Sequence, residues 1–229
     1  MPTSSATGFI PARHTSYVEW MVARYVRGIM TADFAAGYCL NLPPRPVADA
    51  AMIVTPNHVS WWDGFWALEI NRRFWKRKFY IMMLEEQLRR YPLFSRAGAF
   101  SINPASPKHV YLSLHYLAKV SAAPDSLAVF FPQGKIEPDL GPVKLKTGLT
   151  KLQPLKSTFL YPYYACVHGF NRRKPTVFFY FGRPISFEKR YLSRPEVLER
   201  EMNILRIRAA EKLKMGDFGT LIFGKELEP

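Results

Sequence analysis

An α/β fold, with a largely parallel central sheet flanked by helices, is what this 229-residue sequence predicts. Three observations carry that prediction. Short continuous apolar runs recur along the chain, as strands buried on both faces require. Segments with apolar residues at helical spacing separate them, and alternation of the two argues β-α-β units. Hydrophobic residues make up 48% and aromatics 15%, ample for one core. An amphipathic helix suited to a membrane interface precedes this domain, so residues 1–46 read as an interfacial helix with a Pro-rich connector and residues 47–229 as the main domain.

Residues 16–37 are expected to be helical, because Val18, Val22, Tyr25, Val26, Ile29 and Met30 recur near helical spacing. Glu19, Arg24 and Arg27 punctuate them, and Trp20 and Tyr25 have amphipathic rings. Such a helix either lies in a membrane interface, with Trp20, Arg24 and Arg27 at the surface, or packs on its own domain. Pro43, Pro44 and Pro46 end it and stiffen the connection. Residues 51–55 (AMIVT) then read as a buried strand, 62–71 as a helix, 79–84 (FYIMML) as a strand and 99–102 as another. Ser106 with Pro107 starts a helix continuing through Val110, Leu114 and Leu117. Residues 127–131 (LAVFF), 158–167 and 176–181 supply three more strands. A last helix is expected from Ser193, with Leu198, Met202, Leu205, Ala209 and Leu213 on one face and Gly216 as its stop.

Charge narrows the partners. Lys and Arg total 32 against 18 Asp and Glu, a formal +14, which attracts polyanions: anionic lipid, phosphorylated cofactors or nucleic acid. Cys39 and Cys166 match no redox or metal spacing, and His14, His109, His115 and His168 form no metal pattern. No secretory signal is expected in the polar N-terminus, and no uncharged run is long enough to span a membrane; the nearest, residues 17–42, is interrupted by Arg24, Arg27 and Asp33. Residues 72–80 (RRFWKRKFY) interleave five cations with four aromatics. Arg72, Arg73, Trp75, Lys76, Arg77 and Lys78 suit anionic lipid head groups, or nucleic acid, or a solvated helix end with its aromatics turned inward.

The informative segment is residues 55–64, TPNHVSWWDG, which follows a strand and precedes a helix. Open α/β sheets place their sites there, at the carboxyl ends of strands. Histidine titrates near neutrality and suits proton abstraction, and a carboxylate on its other ring nitrogen fixes the tautomer. His58 and Asp63 are five apart. On one continuous helix their side chains would diverge by ~140°. They meet only if His58 lies in the turn and Asp63 in the first helical turn, where the helix dipole also favours a carboxylate.

Asn57-His58-x-Ser60-x-x-Asp63 resembles the first signature of the glycerophospholipid acyltransferase family, which includes lysophosphatidate acyltransferases. Four further segments resemble its later blocks in order: Phe131-Pro132-Gln133-Gly134, Leu145-Lys146-Thr147-Gly148, Tyr161-Pro162 and Gly182-Arg183-Pro184-Ile185. The resemblance covers roughly residues 50–190 and makes 47–229 the acyltransferase domain. It implies that His58 removes a proton from an acceptor hydroxyl, which attacks the thioester of acyl-CoA or an acyl carrier protein, with Asp63 orienting His58. No resident cofactor or metal is implied. Asn57, Ser60, Asn103, Phe131, Pro132, Gln133, Gly134, Lys135, Lys146 and Gly148 would line the donor and acceptor sites.

The chain departs from the pattern in ways that bear on the acceptor. Asn103-Pro104 stands where the family usually carries a phosphate-binding arginine, and Gln133, Lys135 and Ile136 replace its glutamate, threonine and arginine. Lys135 and Lys146 offer point charges instead of bidentate guanidinium groups. The acceptor is therefore either a lysophospholipid or a lipid without a phosphate, such as a glycolipid or glycosylated isoprenoid. The expected setting is peripheral, on the cytoplasmic face of a bacterial inner membrane, with an anionic lipid surface as partner and no nucleic acid. A non-catalytic basic module, bound to membranes or nucleic acid, is the reading from another class.

Overall fold

The computed structural model describes residues 8–139, 141–152, 157–170, 172–187 and 195–227. The chain opens with α1 (Ser16–Asp33), β1 (Ala36–Cys39) and β2 (Ala51–Pro56), followed by α2 (Asp63–Ile70), which runs into a π-helical turn, Asn71–Trp75. Next come β3 (Lys78–Leu84), α3 (Glu85–Arg90), a 3-10 turn (Pro92–Arg96), β4 (Ala99–Ile102), α4 (Pro107–Val120) and β5 (Ser126–Val129). The second half holds a 3-10 turn (Thr147–Lys151), β6 (Thr158–His168), β7 (Thr176–Phe181), β8 (Ile185–Ser186), α5 (Pro195–Lys214) and β9 (Thr220–Gly224). The expected helix start, Ser193, lies outside the described residues.

The strands order as β4-β3-β5-β2-β6-β7-β1-β9, with β8 against β6. From β4 to β6 every pairing is parallel, and β1 also runs parallel to β7. β6–β7, β1–β9 and β6–β8 are antiparallel. All residues of β2 and β5 are buried, which is why these central strands read as unbroken apolar runs rather than alternating ones. One face packs on α1 and α2 through Val22, Val26, Trp66 and Ile70; the other packs on α4 and α5 through Leu114, Leu117, Met202 and Leu205.

Two edges of the expectation change. The first helix ends at Asp33, not 37: Phe34 is extended (φ −112°, ψ 142°), and residues 36–39 become a strand between β7 and β9. Gly37 makes that strand possible, since a Cβ there would lie 2.3 Å from the Phe223 ring of β9. The boundary expected at residue 46 does not separate two cores. β1 belongs to the same sheet as β2–β7, and Val18, Val22, Val26 and Met30 of α1 share a core with Trp62 and Trp66. After α5, Gly216 takes φ 71° and the chain returns as β9, a strand the sequence reading stopped short of.

Candidate active site

β2 delivers the chain to the carboxyl edge of the sheet at Pro56, and the next six residues form the turn into α2. Asn57 anchors that turn. Its amide is buried, donates to Ala165 O at 2.8 Å and accepts from Ala165 N at 2.7 Å, so the turn is pinned to β6. His58 follows in the turn and Asp63 opens α2. His58 Nδ1 and Asp63 Oδ2 are 2.7 Å apart. The same oxygen accepts from Val59 N at 2.8 Å and Ser60 N at 3.0 Å, which bends the turn around the carboxylate. Ser60 Oγ accepts from Trp62 N at 3.2 Å, so this hydroxyl is spent on the turn. Asp63 is 1% exposed, and burial lifts its carboxyl above the ordinary range against the opposing pull of His58 and the Ser60 and Val59 N–H groups.

The loop after β5 completes the site. Phe131 stacks on His58, ring centroids 4.1 Å apart. Gln133 Oε1 accepts from His58 N at 2.6 Å while its Nε2 donates to Glu137 Oε2 at 2.8 Å, and Glu137 N returns to His58 O at 2.8 Å. The loop is thus fastened to both sides of the His58 backbone. Gly134 takes φ 64°, and the Lys146 side chain lies over it: a Cβ at 134 would sit 3.2 Å from Lys146 Cδ. Lys146 N donates to Pro132 O at 2.9 Å. Lys135 is paired with Glu137 at 2.7 Å, and Glu137 is held below the usual carboxylate range, chiefly by that lysine and then by Gln133. Gly148 lies in the 3-10 turn beside Phe130.

A cavity of about 500 Å³, lined mainly by apolar side chains, opens beside His58. Phe131, Gly134 and Ile136 line it from the loop, Met82 and Leu84 from β3, and Tyr25 and Ile29 from α1. With Nδ1 engaged by Asp63, the other ring nitrogen is the one left to this space. A base beside an apolar cavity can take a proton from a hydroxyl held at its mouth while the cavity shelters a hydrocarbon chain. The part of α1 was missed from sequence; its only signal was the apolar stripe, which does not distinguish a cavity wall from core.

Asn103 sits between Ile102 and Pro104, which line this cavity, and its amide is bonded to Glu85 of α3. Its Nδ2 donates to Glu85 Oε2 at 3.4 Å and its Oδ1 accepts from Ala105 N at 3.1 Å. The basic aromatic stretch divides. Trp75 is 7% exposed, donates from Nε1 to Pro44 O at 3.0 Å and packs on Tyr161 and Phe181, which corrects the expectation of an interface anchor. Arg77 donates to Ala50 O at 2.7 Å, Arg73 to Ile222 O at 3.0 Å and Arg72 to Glu69 at 3.2 Å. Lys76 takes a left-handed cap conformation, φ 52°, and Lys78 begins β3 exposed. Here the aromatics turned inward because the π-helical turn rolls Trp75 onto the sheet. By contrast Trp20, Arg24 and Arg27 lie on the outer face of α1.

A family model described as Acyltransferase matches residues 41–164. The chain belongs to the acyltransferase family. The matched segment includes β2, the His58–Asp63 turn, the loop with Gln133 and most of β6. No curated protein matches this acyltransferase significantly in sequence. Among solved structures, the 1-acyl-sn-glycerophosphate (LPA) acyltransferase PlsC from Thermotoga maritima is similar, with a TM-score of 0.57 and 16% identity, over 86% of this chain and 81% of that one. At that identity the likeness is one of fold: an α/β acyltransferase domain with a mostly parallel sheet.

Proposed function

We propose that this acyltransferase is a membrane-associated O-acyltransferase that moves a fatty acyl group from acyl-CoA or an acyl carrier protein to a lipid hydroxyl, of the lysophosphatidate type. The 2.7 Å contact between His58 Nδ1 and Asp63 Oδ2, beside an apolar cavity, carries the reading. Asp63 fixes the tautomer, so the other ring nitrogen of His58 accepts the proton of the acceptor hydroxyl. The oxygen attacks the thioester carbonyl, the acyl chain lying in the cavity. The tetrahedral intermediate collapses, the carbon–sulfur bond breaks, and the thiolate leaves with the proton from His58. Lys146, over Gly134, is placed to attract phosphate of donor or acceptor.

A second acceptor class is favoured by a specific observation: apart from Lys146, the groups named for an acceptor phosphate are otherwise engaged. Lys135 is bound to Glu137, Gln133 to the His58 backbone and Asn103 to Glu85. A glycolipid or glycosylated isoprenoid hydroxyl needs no such cations. For the membrane, α1 exposes Tyr17, Trp20 and Tyr25, with Arg24 over the Trp20 ring at 6.0 Å. No helix among the described residues is long and apolar enough to cross a membrane, which fits attachment at a surface.

The deciding experiment is thiol release from palmitoyl-CoA with lysophosphatidate and a glycolipid offered in parallel. His58→Ala is expected to lower kcat by about 10²–10⁴-fold. Turnover with lysophosphatidate identifies the phosphate acceptor; turnover with the glycolipid alone identifies the second class. Thiol release that survives His58→Ala sinks the mechanism.

A further inference from the structure

Lysine carries a point charge on a flexible stem, so the place where it acts is set by the backbone that bears it. The chain between β5 and the 3-10 turn at 147–151 holds Lys135, Lys144 and Lys146. Lys135 pairs with Glu137 and Lys144 with Glu199, whereas Lys146 has no ion-pair partner among the described residues. Lys146 is exposed, and its ammonium lies beside the cavity. Nζ is 3.7 Å from where a Cβ at Gly134 would stand, and Gly134 lines the cavity with His58. After Lys135 and Gln133, the charge of Lys146 helps to hold the Glu137 carboxyl low.

The backbone before Lys146 is gripped by α5. Glu199 and Asn203 are one helical turn apart and share a face. Asn203 Oδ1 accepts from Val143 N at 2.9 Å, and its Nδ2 donates to Val143 O at 3.1 Å and to Glu199 O at 2.8 Å. Glu199 Oε2 accepts from Leu145 N at 2.9 Å, and Oε1 accepts from Lys144 Nζ at 3.2 Å. Val143 is buried in one core with Leu198, Met202 and Leu205, so its peptide groups have no ready recourse to water. On either side the chain is tied again. The Tyr164 hydroxyl of β6 donates to Asp139, and Lys146 N donates to Pro132 O at 2.9 Å.

We propose that Asn203 and Glu199 place Lys146 beside the cavity and so set the affinity of the site for a phosphate, of donor or acceptor. Both are positioning residues and touch no substrate; the inference rests on the reading of Lys146 as the phosphate-binding cation. An amide that satisfies the N–H and C=O of one residue fixes the orientation of the chain there as well as its position. Glu199 holds Leu145 next, which leaves Lys146 one residue beyond the clasp. Released from α5, residues 143–145 would let the ammonium range over a larger volume, and ordering it again on a phosphate would cost affinity.

Asn203→Leu removes both bonds to Val143 and leaves Lys146 in the chain. Calorimetry with coenzyme A reads the donor phosphates, with pantetheine as the phosphate-free control. KM for lysophosphatidate at saturating palmitoyl-CoA reads the acceptor's. Asn203→Leu is expected to weaken whichever of the two Lys146→Gln weakens, by the same factor of roughly tenfold, with pantetheine binding unmoved and the loss in turnover falling on KM rather than kcat. In a Lys146→Gln background it adds nothing further. Glu199→Leu should act in the same sense, and Glu199→Gln, which can still accept from Leu145 N, should restore the affinity. Wild-type affinity in Asn203→Leu overturns the proposal. So does a loss that pantetheine shares, or one that persists in Lys146→Gln, since either reduces the clasp to packing. Should Asn203→Leu not fold, the two Glu199 variants carry the same test. If Lys146→Gln itself binds both ligands as wild type does, Lys146 holds no phosphate and the proposal falls with that reading. A failure confined to the α5 variants refutes the proposal alone. Absence of turnover in the wild type would refute the proposed reaction, and the calorimetry, which needs none, would still decide the role of α5.

Discussion

Gln133 shows how one side chain ties the site together. An amide both accepts and donates, and Gln133 uses both functions, accepting from His58 N and donating to Glu137. A glutamate at 133 would keep the first bond and set two carboxylates side by side. One of them would then have a raised pKa in the folded state. The sign follows: the penalty is present above that raised pKa and fades as pH falls and the pair takes up a proton. Gln133→Glu is therefore expected to lower Tm at pH 8 and to lose less at pH 5, with Gln133→Glu/Glu137→Gln restoring it. Thermal melts across pH check this, and an equal Tm loss at both pH values would refute it. Asn57 makes a simpler case. Asn57→Ala leaves two backbone groups of Ala165 unpaired in a buried strand, at a cost of about 2–4 kcal/mol, to be read from denaturant midpoints. Position 133 stood out in the sequence because it departs from the family's glutamate. Its partner Glu137 did not, because a loop acid is ordinarily solvated; what recruits it is the closing of residues 131–137 over His58.

Elements were legible wherever their own residues decide them. β2, β5 and α4 follow from continuous apolar runs, a Ser106 cap on His109 N and Pro107 at the helix start. β1 and β9 were not, because each is a short segment whose strand state comes from its neighbour: Ala36–Cys39 gains its ladder only from β7 and β9. The same holds for Trp75, whose burial depends on a π-helical turn that no periodicity announces. α3 is held by Glu85, which accepts from Arg89 Nε at 3.0 Å and Nη2 at 2.8 Å and reaches Asn103 on the far side of β4. Burial alone would raise its pKa, but Arg89, Asn103 and His109 together hold it below the usual value. A depressed carboxyl contributes stability above its unfolded pKa, and that contribution is lost as pH falls through the folded one. Glu85→Gln is expected to lower Tm by about 3 °C near neutrality, with the gap to wild type closing below roughly pH 4. A gap that persists in acid would show that shape, not charge, holds α3.

At the scale of the whole molecule, α1 joins cavity and surface. Its inner residues, Val22 and Ile29, line the cavity beside His58, while Tyr17, Trp20 and Arg24 point outward and Tyr25 belongs to both. Ile29→Trp should therefore fill part of the cavity and shift donor preference toward shorter acyl chains, scored as relative turnover of decanoyl- and palmitoyl-CoA; an unchanged ratio would place the chain elsewhere. Under the proposed membrane attachment, the formal charge of +14 would let an anionic bilayer hold that same helix, and a chain leaving the bilayer would not have to cross water before reaching the cavity. The cation expected to matter is Arg24 of α1 rather than those of residues 72–78, because Arg77 and Arg73 already serve backbone carbonyls and Arg72, like Arg27 of α1, pairs with the buried Glu69. Each free cation near such a surface contributes about 1 kcal/mol, so Arg24→Glu should weaken sedimentation with anionic vesicles by at least about tenfold. High salt should erase the difference, since exposed charges are screened within about 10 Å at 0.1 M. Turnover with detergent-dispersed acceptor should stay at the wild-type level, because Arg24 does not line the cavity. Arg77→Glu, by contrast, should lower Tm, since it puts an acid where a cation bridges Ala50 and Ser126. If Arg24→Glu leaves vesicle binding intact, α1 is a wall of the cavity and not the surface that meets lipid.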